Sequence, residues 1–141
     1  MIKLLTSNFD KEDGVSYVKI ATDCGNFEGF AFLHPEDKEI VSTYLGCEIA
    51  EYRATIEYFK HKKYIVNIEI QELFRIRKEL IKNNSFFGLA NKRAIKSINI
   101  IIEKKLGNKE FYATCIKTLN RVINNKVNDR IDYLNKKKDS E

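Results

Sequence analysis

Six arginines, Arg53, Arg75, Arg77, Arg93, Arg121 and Arg130, are the most informative charged side chains in this sequence. A guanidinium stays charged and presents a planar fork of donors that matches the oxygens of phosphate or carboxylate. Arg53 stands at the middle of a helical pattern between apolar neighbours. There it needs a partner, either Glu57 four residues on or an anionic ligand. Arg93 follows Asn91 and Lys92 where the pattern opens a helix, and the free N–H groups of a helix start also attract phosphate. Phe86 and Phe87 are adjacent in the polar run Asn83-Asn84-Ser85-Phe86-Phe87-Gly88. Two neighbouring rings do not both turn inward easily. One is expected to fill the core, and the other to pack on a neighbouring chain or offer a stacking face to a base.

Residues for bond-breaking chemistry are sparse. Cys24, Cys47 and Cys115 contain no C-x-x-C pair, and an odd count without a secretory leader reads as reduced thiols in a cytosol. Cys47 and Cys115 fall in periodic apolar stretches and are read as core residues. His34 and His61 are 27 positions apart, too isolated to suggest a metal site, and His34 beside Pro35 is read as a structural hydrogen-bonding group. There is no phosphate-binding glycine loop, no H-E-x-x-H and no G-x-S-x-G. The expectation is a binding protein, not an enzyme, with no metal and no cofactor.

Charge narrows the partner. Residues 1–50 carry nine acids and four bases, whereas residues 51–141 carry 21 bases and 11 acids. A basic half suits an anion: a nucleotide, a nucleic acid or a phosphorylated small molecule. Nineteen of the 25 bases are lysines in a chain rich in Asn and Ile, so many of them are simply solvated surface.

These residues must be positioned by 141 residues, a length that suits one domain, with 43% apolar residues for a core. No stretch reaches the ~20 apolar residues of a membrane span. Val15 to Thr22 alternates and is rich in β-branched and aromatic residues. With Phe27 to Leu33 it makes a hairpin around Asp23-Cys24-Gly25-Asn26, and Ile2 to Thr6 offers a third strand. Gly29 inside a strand signals a bulge or a close backbone approach. Pro35 opens a short helical turn. Thr43 to His61 is a helix with two apolar faces, Cys47, Ala50, Ala54 and Tyr58 on one and Ile49, Tyr52, Ile56 and Phe59 on the other, so it is covered on both sides. Tyr64 to Glu69 reads as strand or helix, and helix follows from Ile70. Another helix runs from Ser85 or Asn91 to Leu106 and stops at Gly107. The last runs from Asn108 to about Asn135, with Tyr112, Ile116, Leu119, Ile123 and Val127 as a seam. The fold class is α+β: a small N-terminal antiparallel sheet followed by three to four α-helices. It forms a single domain with a β-rich part (1–42), a helical part (43–135) and a frayed tail (136–141).

Gly25, Phe27, Gly29, Ala31, His34, Pro35, Glu36 and Asp37, then Gly46, Cys47, Ala50, Arg53, Ala54, Ile56, Tyr58 and Lys60, form a pattern over about a quarter of the chain. It resembles the phage anti-Thoeris sponge proteins that sequester cyclic ADP-ribose isomers. The resemblance implies a phage immune-evasion protein in the host cytoplasm that forms a homo-oligomer built from dimers. It also implies binding of a cyclic nucleotide signal without cleavage. Of the site residues, Arg53 alone is carried over. Phe86, Phe87, Asn91, Arg93 and Arg121 rest on local argument: Arg53, Arg93 and Arg121 for two phosphates, a phenylalanine ring for the adenine, and Asn91 for a base edge or ribose. The alternative is a basic phage protein that binds nucleic acid or inhibits a nuclease. A membrane partner is not expected.

Overall fold

The computed structural model describes residues 2–10, 12–32 and 43–140, with the backbone alone described at residues 43, 44, 84–87, 89 and 90. His34 and the helical turn expected at Pro35 lie outside these residues. The fold is α+β. Three strands, β1 (Lys3–Asp10), β2 (Val15–Thr22) and β3 (Gly25–Phe32), form an antiparallel sheet in the order β1-β2-β3. The described residues then form two helices, α1 (Thr43–Lys82) and α2 (Asn84–Asp139).

Alternation along β2 decides which face of the sheet is covered. Ser16, Val18 and Ile20 are buried, and they pair with Ala31, Gly29 and Phe27 of β3. These pairs lie under α1, which runs against the direction of β3. Gly46 sits over Ser16, Ala50 and Ala54 sit over Gly29, and Tyr58 packs its ring on Phe27. The contact over Gly29 is backbone to backbone. A Cβ built there would overlap the Ala50 carbonyl and lie 2.5 Å from the Ala54 amide nitrogen. Pairing continues through Gly29 without a shift, so of the two readings of this glycine, close approach is the one observed. The register slip in the sheet lies instead in β1, between Leu4 and Thr6.

The second apolar face of α1 is also covered. Ile49 and Ile56 join Val18, Ile20, Ala50, Ala54 and Ile123 in one core, with Tyr52, Ile116 and Leu119 packed against it. The 3-4 spacing of Ile116, Leu119 and Ile123 in the C-terminal third is thus part of the seam that closes the sheet's core.

Among the described residues two helices stand where three to four were expected, and each boundary has a physical reason. Val66 and Ile70 are buried and Ile68 between them is exposed, which is the outcome of 100° steps, so Tyr64–Glu69 is helix. Helical geometry extends through most of the expected 83–88 loop. It breaks at Asn83, a turn residue, and at Gly88, whose φ of 24° and ψ of −95° are non-helical. Gly107 does not end a helix. A glycine there costs about 1 kcal/mol against alanine, and strong helix formers on both sides outweigh that cost. The tail is helical as far as Asp139.

The chain divides into two compact units, one of residues 1–59 with 115–141 and the other of residues 60–114. The second unit is an antiparallel helical hairpin. Its cross-links are Glu69 with Lys105, Arg77 Nη1 donating to Asn99 Oδ1 at 2.9 Å, and Asn91 Nδ2 donating to the Leu80 carbonyl at 3.1 Å. Val66, Ile70 and Ile102 are buried apolar residues in it.

Candidate functional site

The arginines sort by what holds them. Arg75 is bound to Glu72 at 2.5 Å within one helical turn, and this keeps the Glu72 carboxyl below its usual range. Arg77 bonds Asn99 and stacks 4.8 Å from the Phe74 ring centroid. Arg130 lies 5.2 Å from the Tyr133 ring centroid, with its Nε buried and without a hydrogen-bond partner. Arg53 is exposed, and its Nη1 donates to the backbone carbonyl of Phe30 at 2.8 Å. This oxygen belongs to the sheet edge formed by β3, and the bond blunts that edge. Of the two partners weighed for Arg53, Glu57 is not the one it meets. Arg93 and Arg121 are exposed and have no partner among the described residues.

The other expected site residues lie as follows. Asn91 is buried, and its amide nitrogen holds the Leu80 carbonyl near the end of α1. This satisfies a carbonyl that a helix end leaves open and fixes the start of the second hairpin arm. Helical geometry resumes after Gly88, so Asn91 and Arg93 stand within two turns of that break. The side chains of Phe86 and Phe87 lie outside what is described. Arg53 and Arg121 belong to the first unit, and Asn91 and Arg93 to the second.

Charge is uneven between the two units as well as between the halves of the sequence. Residues 60–114 hold 13 Lys and Arg against five acids, net +8, and the remainder of the chain is net −3. In the first unit the polar contacts are mostly internal. Lys126 Nζ meets Glu48 at 2.7 Å, and Tyr52 donates to the same carboxylate at 3.1 Å. The Lys126 bond holds Glu48 below the ordinary carboxylate range, while burial, followed by Glu48, pushes the Tyr52 phenol up. Tyr58 donates to Asp23 Oδ1 at 2.6 Å and so pins the β2–β3 turn to α1. No group of three or more His, Cys, Asp or Glu among the described residues is placed to hold a metal. No helix among them is long and apolar enough to cross a membrane.

Sequence reading missed the outer sheet face, where Tyr17 and Phe30 pack at 5.1 Å and Phe32 is 75% exposed. Alternation in β3 carried the signal, since Phe30 and Phe32 fall opposite Gly29 and Ala31. It also misses the outer face of α2, because Gly107 reads as a helix stop. No protein-family model, curated protein or solved structure matches the chain.

Proposed function

We propose that this chain is a phage immune-evasion protein that captures a cyclic nucleotide signal of the cyclic ADP-ribose class and keeps it intact. It acts in the host cytoplasm as a homo-oligomer built from dimers. The observation that supports this reading best is the state of Arg93 and Arg121, two exposed guanidiniums without a partner among the described residues, whereas the other four arginines are engaged. Such groups are ready to take phosphate oxygens. In this reading Arg93 works with Phe86 or Phe87, the ring stacking on adenine. Asn91 holds the hairpin turn that carries Arg93. Arg53 retains donors beyond the one given to Phe30 and adds to the phosphate contacts with Arg121.

Calorimetric titration against a panel of cyclic ADP-ribose isomers tests the reading, followed by mass analysis of ligand released by heating. A defined stoichiometry and intact ligand are expected, with Arg93→Ala and Arg121→Ala each weakening binding about tenfold or more, the scale of one charge-assisted hydrogen bond. Hydrolysed ligand, or no binding across the panel, ends it. The net charge of +8 on residues 60–114 favours a second reading, a nucleic-acid-binding or nuclease-inhibiting protein. That reading requires oligonucleotide affinity that falls steeply with salt.

A further inference from the structure

The hairpin of residues 60–114 buries one side of α2 and leaves the other bare. Ser97, Ile100, Lys104, Gly107 and Phe111 recur at 3-4-3-4 spacing, the repeat of a helix–helix seam, and at 100° per residue they fall within a band of about 80°. All five are exposed, Ile100 by 60% and Phe111 by 61%. Lys96 borders the band, and neither it nor Lys104 has a partner among the described residues. The nearest acids on α2, Glu103 and Glu110, lie some 80–100° round the axis from the centre of the band. Gly107 interrupts the row of side chains, and a Cβ there would meet nothing within 4 Å. A mid-helix glycine costs helix stability, and no contact among the described residues repays it.

We propose that this face of α2, from Ser97 to Phe111, docks an acidic amphipathic helix of a partner protein. Ile100 and Phe111 supply apolar anchors one heptad and a half apart. Gly107 lets the partner backbone come close between them. Lys104 and Lys96, with no acid in the band, select carboxylates on the flanks of the incoming helix. A nucleic acid would use the lysines and leave Ile100 without a role. A bilayer would find two anchors too few for insertion. The band begins one turn beyond Arg93, and its variants leave Arg53, Arg93 and Arg121 in place.

The test uses the full chain and a synthetic amphipathic peptide of about three heptads, with leucines at the seam and glutamates beside it. Controls are the same peptide with lysines in place of glutamates, phosphatidylserine vesicles and a DNA duplex. Binding of the glutamate peptide alone is expected. Ile100→Ser, Phe111→Ser and Lys104→Glu should each weaken it about tenfold or more. Gly107→Ala should raise the melting temperature and yet weaken peptide binding, a combination that a merely structural glycine would not give. Cyclic nucleotide titrations should be unchanged in all four variants, which separates failure here from failure of the signal-binding reading. The proposal is overturned if the glutamate peptide does not bind, if its binding ignores these substitutions, or if vesicles or duplex bind with the same sensitivity to them.

Discussion

Gly29 on β3 and Ala50 on α1 meet backbone to backbone, with no room between them for a methyl group. The sheet and α1 are therefore held at a distance that one hydrogen atom sets. Gly29→Ala is expected to destabilise the protein by about 3 kcal/mol, the upper end of overpacking costs, because the obstacles are main-chain atoms that cannot turn aside. Denaturant titration followed by circular dichroism measures it, and a loss below about 1 kcal/mol would contradict the geometry. Gly46, which faces the Ser16 side chain, should tolerate alanine better when Ser16 is also reduced to glycine.

The Glu48–Lys126 pair gives stability a pH dependence with a fixed sign. The folded carboxyl of Glu48 titrates below its ordinary value because it accepts from Lys126. Its contribution is therefore present above the unfolded carboxylate range, about 4.3, and is lost as pH falls through the lower folded value. Glu48→Gln should remove that part of the acid-side slope and cost about 1 kcal/mol at neutral pH, since the pair is partly exposed. Tyr52 acts at the other end. Its raised folded pKa gives stability that is present below the usual phenol value and lost as pH climbs past it. Tyr52→Phe should flatten the alkaline limb.

Arg53→Ala removes the cap on the Phe30 carbonyl and should cost about 1 kcal/mol. Arg53→Lys should recover part of that loss, because one donor suffices for one carbonyl. Chemical denaturation of the three proteins in parallel gives the ranking. If Arg53→Ala is as stable as the parent, the bond to Phe30 carries nothing.

Gly107→Ala is expected to stabilise the isolated chain by about 1 kcal/mol, the helix-propensity difference, since open space surrounds the position. Thermal melts at low protein concentration are the measurement. A destabilised variant would mean that something packs on Gly107.

The sheet and the first half of α1 were legible because local signals agreed. Alternation in Val15–Thr22, the turn cluster after it and the two apolar faces of Thr43–His61 all point to the observed structure. Later helix boundaries were not legible, because glycine and asparagine raise the local cost of helix without deciding it. Gly107 and Asn84 both lie within α2, and at Gly107 the helix formers on either side outweigh the cost of the glycine. Among the site residues, sequence gave no sign that Arg53 reaches a strand edge or that Asn91 reaches Leu80. Those partners are 23 and 11 residues away, and only the folded chain brings them together. The spare guanidiniums of Arg93 and Arg121 became distinguishable from the other four once each arginine's neighbour was known.

The interrupted path of the first unit has a consequence during synthesis. Its core needs Ile116, Leu119 and Ile123, which leave the ribosome only after the entire intervening hairpin. The nascent sheet and the start of α1 must wait with Val18, Ile20 and Ala50 incompletely covered, while the hairpin completes its own near-neighbour pairings. The unit translated first is therefore the unit that finishes folding last, and its uncovered strands are what chaperones would meet.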